Sequence, residues 1–90
     1  MKIKDFQDFI YHRYYQRDLE RGTPKTFMWF TEEIGELATA LATDSYTKEQ
    51  KESEFADVFA WLCTLANISD IDIEKACKDK YHAGGPEGYK

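Results

Sequence analysis

Two stretches decide the fold: Thr31–Leu41, TEEIGELATAL, and Glu52–Ala66, ESEFADVFAWLCTLA. Around the first, Phe27, Phe30, Ile34, Leu37 and Leu41 recur every three or four residues, the spacing that gathers apolar side chains on one face of a helix. Around the second, Phe55, Val58, Phe59, Leu62, Leu65 and Ala66 do the same. Between them lies the short break Asp44-Ser45-Tyr46, followed by Thr47-Lys48-Glu49-Gln50, which has the form of a capping box with Thr47 and Gln50 as the reciprocal pair. Two helices joined by so short a break predict an antiparallel hairpin.

Working outward, Ile3, Phe6, Phe9, Ile10 and Tyr14 predict a helix that Gly22 ends after Arg21. Thr23 before Pro24 predicts the start of the next helix, a capping hydroxyl and then a proline at the first helical position, with the apolar stripe running to about Thr43. Ser69 or Asp70 is placed to cap a shorter fourth helix that reaches about His82, and Ala83-Gly84-Gly85-Pro86 stops it. Strand signals are nearly absent, with neither sustained alternation nor a hairpin dipeptide. The expectation is an all-α four-helix bundle over residues 1–83 with a central antiparallel helix hairpin, followed by a short polar tail at 84–90.

Ninety residues and 10.6 kDa allow one domain with a thin core, which association with further copies would complete. Seventeen acidic against twelve basic residues give a formal charge of −5, which argues against a nucleic-acid surface built of clustered Lys and Arg. The sequence contains no apolar run of membrane-spanning length, and its start, MKIKDFQDF, lacks the apolar stretch of a signal peptide, so a cytoplasmic protein is expected. Cys63 and Cys77 are too few and too isolated for a disulfide framework or a zinc knuckle and read as reduced, with Cys63 in the core.

Within the hairpin lie two acidic pairs at the same spacing, Glu33 with Glu36 and Glu54 with Asp57. A separation of three residues puts both carboxylates of a pair on one helix face, next to the apolar stripe. With the loop centred on Ser45, positions facing each other have numbers summing to about ninety, so Glu36 opposes Glu54, Glu33 opposes Asp57 and Trp29 opposes Trp61. Four partly desolvated anions in one place repel one another and call for a cation. The donors are all carboxylate oxygens, with neither His nor Cys at ligand spacing, which favours Mg²⁺ or Mn²⁺ over softer metals. Magnesium keeps positions for substrate phosphates, so the constellation points to a metal-bridged phosphate ligand that a chain of this charge would otherwise repel.

The strings TEEIGELATAL and ESEFADVFAWLCTLANISDIDIEKA resemble the MazG-like nucleoside triphosphate pyrophosphohydrolases of the all-α NTP pyrophosphatase group. That family's signature, Glu-x-x-Glu and then Glu-x-x-Asp, is met by Glu33, Glu36, Glu54 and Asp57, with seventeen residues between Glu36 and Glu54. The resemblance covers about Thr26 to Lys80 and implies Mg²⁺-dependent cleavage of NTP or dNTP to the monophosphate and pyrophosphate, by a homodimer or homotetramer, in nucleotide-pool housecleaning. By the same resemblance Glu33, Glu36, Glu54 and Asp57 hold the metal; the catalytic candidates are Glu36, Glu33 and Glu32, with Glu36 or Glu32 to accept the proton of the attacking water. Trp29 and Trp61 are candidates to stack on the base, Asn67 to donate to phosphate or sugar, and Lys78 and Lys80 to reach the triphosphate; packing, capping and helix-dipole roles compete for the same residues. The alternative function is a non-catalytic nucleotide- or metal-binding dimerisation module.

Overall fold

A computed structural model describes residues 1–82 as four helices, α1 (Ile3–Arg21), α2 (Thr23–Ala42), α3 (Lys48–Ile68) and α4 (Ile73–Lys80), with no strand among them. The helix stop expected at Ala83–Pro86 and the polar tail at 84–90 lie outside the described residues. The all-α expectation holds, and α2 and α3 form the most extensive helix pair, with α1 laid across α3 and α4 against α1.

Local chemistry sets the helix boundaries. Gly22, at φ 83° and ψ 163°, occupies a backbone region that side-chain-bearing residues essentially do not enter. It ends α1 by donating its N–H to the Asp18 carbonyl at 3.1 Å, and it also caps α2, its own carbonyl accepting from the Thr26 N–H at 3.1 Å. This shifts the expected cap by one residue: because Gly22 turns the chain alone, Thr23 is already helical and its hydroxyl caps nothing. At the other end of the hairpin, Thr47 Oγ1 accepts from the Gln50 N–H at 3.1 Å while Gln50 Oε1 accepts from the Thr47 N–H at 2.7 Å, closing the capping box.

The start of α4 also corrects the sequence reading. Ser69 and Asp70 finish α3 instead of opening α4: Asp70 takes φ 57°, its N–H bonds the Asn67 carbonyl at 3.2 Å, and the Ile71 N–H bonds the Ala66 carbonyl at 2.8 Å, the pairing of a Schellman motif. The cap of α4 is Asp72, whose Oδ1 accepts from the Lys75 N–H at 3.0 Å.

The buried apolar residues are few and mostly small, namely Ile10, Ala40, Cys63 and Ala66. Small side chains let the helices approach one another, and some of the large apolar side chains of α2 and α3 stay at the surface. Phe27, Met28 and Phe55 remain 56%, 57% and 54% exposed. A buried polar knot fixes α1 and α4. Gln7 Nε2 donates to Asn67 Oδ1 at 2.9 Å and to the Ile71 carbonyl at 2.6 Å, while Gln7 Oε1 accepts from the Ile73 N–H at 3.0 Å. Cys63 is buried and Cys77 exposed, both as free thiols. No helix among the described residues is long and apolar enough to cross a membrane.

Candidate metal centre

The hairpin brings one carboxylate oxygen each from Glu33, Glu36 and Glu54 to within 4.8 Å of one another. Glu33 and Glu36 come from one turn of α2 and Glu54 from the facing turn of α3. Glu33 and Glu54 are half-buried, whereas Glu36 is exposed, so the group opens toward solvent on the Glu36 side. Asp57 lies at its border, near enough for its charge to act on Glu33.

The electrostatics are those of crowded anions. Burial, then the charge and hydrogen-bonding reach of Glu36, then the charges of Asp57 and Glu54, lift the Glu33 carboxyl from its ordinary 4.5 to about 7. One oxygen of Glu33 and one of Glu54, both Oε2, are buried with no hydrogen-bond partner. Buried carboxylate oxygens without donors cost free energy. A hard divalent cation removes that cost, and the donor set, carboxylate oxygens gathered within a few ångström, fits Mg²⁺ or Mn²⁺ on chemistry alone.

Beside this group a cavity of about 310 Å³ lies between α1 and α3. Asp57 and Trp61 contribute to it from α3, and Tyr14, Arg17, Asp18 and Arg21 from α1. The Arg21 guanidinium lies over the Trp61 ring at 5.0 Å, and its Nη1 donates to Asp18 Oδ1 at 3.0 Å and to Thr26 Oγ1 at 3.4 Å. None of the α1 residues of this cavity stood out in the sequence as part of a site. The one local signal is Asp18 three residues before Arg21 and just ahead of the helix-ending Gly22.

The remaining sequence candidates have other surroundings. Trp61 is half-buried in the cavity wall, and Trp29 is exposed on α2. Asn67 is buried and committed to α1: besides accepting from Gln7, its Nδ2 donates to the Gln7 carbonyl at 3.3 Å. Lys78 pairs with Glu74 of its own helix at 3.5 Å, and the Lys80 ammonium lies 5.7 Å from the centre of the Tyr81 ring. Both lysines belong to α4, which is anchored at the start of α1 by Glu74 accepting from the Lys4 N–H at 3.2 Å. Glu32 is exposed, next in sequence to Glu33. On α1, the Tyr11 and Tyr15 rings stack at 4.1 Å and His12 Nδ1 lies 2.7 Å from the Asp8 carbonyl, so His12 stands apart from the acids.

The family model described as the MazG nucleotide pyrophosphohydrolase domain matches residues 22–86, the segment that carries all four signature acids. A search of curated proteins gives no match.

Proposed function

The chain belongs to the MazG nucleotide pyrophosphohydrolase family, and from that premise we propose that it hydrolyses nucleoside triphosphates, NTP or dNTP, to the monophosphate and pyrophosphate in nucleotide-pool housecleaning. The observation that supports this most is the convergence of Glu33, Glu36 and Glu54 from two helices with buried, unpartnered oxygens among them.

On this reading Glu33, Glu36, Glu54 and Asp57 hold Mg²⁺, or Mn²⁺ in its place. When bound, the cation supplies Lewis-acid neutralisation of the phosphate charge. The chain's own residues do the rest. The four carboxylates fix where the triphosphate lies, and the α2–α3 hairpin keeps them in register. The proton of the attacking water passes to one of Glu36, Glu33 and Glu32. Trp29, Trp61, Asn67, Lys78 and Lys80 remain the proposed substrate contacts, with Trp61 the best supported because it lines the neighbouring cavity.

The outward-facing Phe27, Met28 and Phe55 support assembly into a homodimer or homotetramer, since apolar surface of this kind is stabilised by burial against another copy. A cytoplasmic setting is part of the same proposal. The deciding experiment is pyrophosphate release from a panel of common and damaged triphosphates with Mg²⁺. Turnover of one or more members is expected. No turnover across the panel would overturn the activity, and nucleotide binding by calorimetry without product would point to the non-catalytic module instead.

A further inference from the structure

Among the residues that line the cavity between α1 and α3 is an acid that nothing in the described residues fully satisfies. Asp18 is 2% exposed, and its Oδ1 is taken by Arg21, but its Oδ2 is buried with no hydrogen-bond partner. A shut-in carboxylate oxygen needs an N–H or O–H donor, and leaving it without one is destabilising. Phosphate oxygens and carbonyls are acceptors and are repelled by it. The cavity that Asp18 lines is bordered by the Tyr14 and Trp61 side chains, whose rings suit a flat aromatic ligand, and it meets the acid group at Asp57. Its volume of about 310 Å³ suits a nucleoside.

Resting on the pyrophosphohydrolase reading, we propose that this cavity receives the nucleoside and that Asp18 determines base specificity, its unpartnered oxygen, closed off while the cavity is empty, turning toward the ligand to accept an N–H from the exocyclic amino group of cytosine, adenine or guanine. Uracil and thymine present one N–H flanked by two carbonyl oxygens, and those oxygens face a negative charge. Arg21, stacked over Trp61 and bonded to Asp18 and Thr26, holds the carboxylate in place. Arg17, on the same wall, keeps the local charge from being wholly negative.

The test compares pyrophosphate release from CTP, dCTP, dATP and dGTP with release from UTP and dTTP. The amino-bearing substrates are expected to be favoured roughly ten- to a hundredfold in kcat/KM, the range set by one unsatisfied buried carboxylate. Asp18→Asn, which keeps the shape but can donate to a carbonyl, should narrow or reverse that preference through KM while kcat stays within a few fold. Equal rates across the panel, or an Asp18→Asn enzyme with unchanged preference, overturn the assignment. If the variant does not fold, binding of CMP and UMP to the wild-type chain decides by itself. CMP the tighter ligand supports Asp18, and equal affinity or no binding of either overturns it. That measurement needs no catalysis, so a failure of the hydrolytic reading is distinguishable as absence of turnover with the CMP preference intact.

Discussion

Glu33 on α2 and Glu54 on α3 each bury an Oε2 that no group among the described residues supplies with a hydrogen bond, although their carboxylates belong to one cluster less than 5 Å across. Such a pair is stable only at a cost, because each desolvated anion raises the energy of the other. Removing one member should therefore relieve the metal-free fold while disabling the site. For Glu54→Ala and Glu36→Ala we expect melting temperatures in EDTA equal to or above wild type, loss of the stabilisation that Mg²⁺ confers, and activity reduced by on the order of 10²–10³. Thermal melts with and without Mg²⁺, next to a pyrophosphate assay, check all three. A variant that melts lower in EDTA yet keeps its Mg²⁺ response contradicts the picture.

The pH dependence has a definite sign. The Glu33 carboxyl titrates at about 7 in the fold against an ordinary 4.5, so the folded chain holds this proton more tightly than the unfolded chain. Its contribution is fully present below about 4.5 and is lost as pH rises toward about 7. Metal-free protein should lose ~1–2 kcal/mol of stability across that window after solvent screening, and Glu33→Gln should flatten the profile. Mg²⁺ should restore more stability at pH 8 than at pH 5, as urea denaturation at the two pH values would show.

Gly22→Ala tests the joint between α1 and α2. The conformation at φ 83° and ψ 163° is strained for any side chain even though an added Cβ would meet nothing within 4 Å, so the loss comes from the backbone alone. We expect a cost of about 1–3 kcal/mol, a fall in melting temperature of roughly 4–8 °C for each kcal/mol. An unchanged melting temperature would mean that the joint has a second accessible geometry.

Gly35 tests the opposite case. It lies inside α2, where glycine costs about 0.5–1 kcal/mol relative to alanine, and a Cβ there meets nothing within 4 Å. Gly35→Ala should raise the melting temperature by a few degrees. A loss of association or activity at undiminished stability, read by light scattering and the pyrophosphate assay, would mark this face as one that another molecule closes against.

Much of this architecture is legible in the residues because it is local. Gly22, the Thr47–Gln50 box and the two apolar stripes act within a few positions of themselves, and the three-residue spacing of the acids survives folding on any helix. What sequence could not give is tertiary. Asp18 carries no motif and becomes notable only when α1 is laid on α3, and Asn67 reads as a cap or a ligand group until Gln7 arrives from sixty residues away. Ser69 and Asp70 have the composition of a helix start, but the left-handed turn at Asp70 spends them on the end of α3. The stripes announce which faces are apolar without saying which of them the chain itself will cover: Cys63 and Ala66 are buried in keeping with the sequence, whereas Phe27 and Phe55 stay exposed and Ala40, outside the stripe, is fully buried.

The Gln7 amide has a consequence for the order in which the molecule assembles. Through one side chain it joins residue 7 to residues 67, 71 and 73, closing most of the four-helix chain into a ring. Closure over such a distance is entropically slow, whereas the α2–α3 hairpin draws on near neighbours, so the hairpin should form first and α1 and α4 dock onto it last. The Ile73 amide proton, held by Gln7, then becomes a reporter of that docking: its exchange with deuterated water should track release of α1, ahead of the hairpin's own protons.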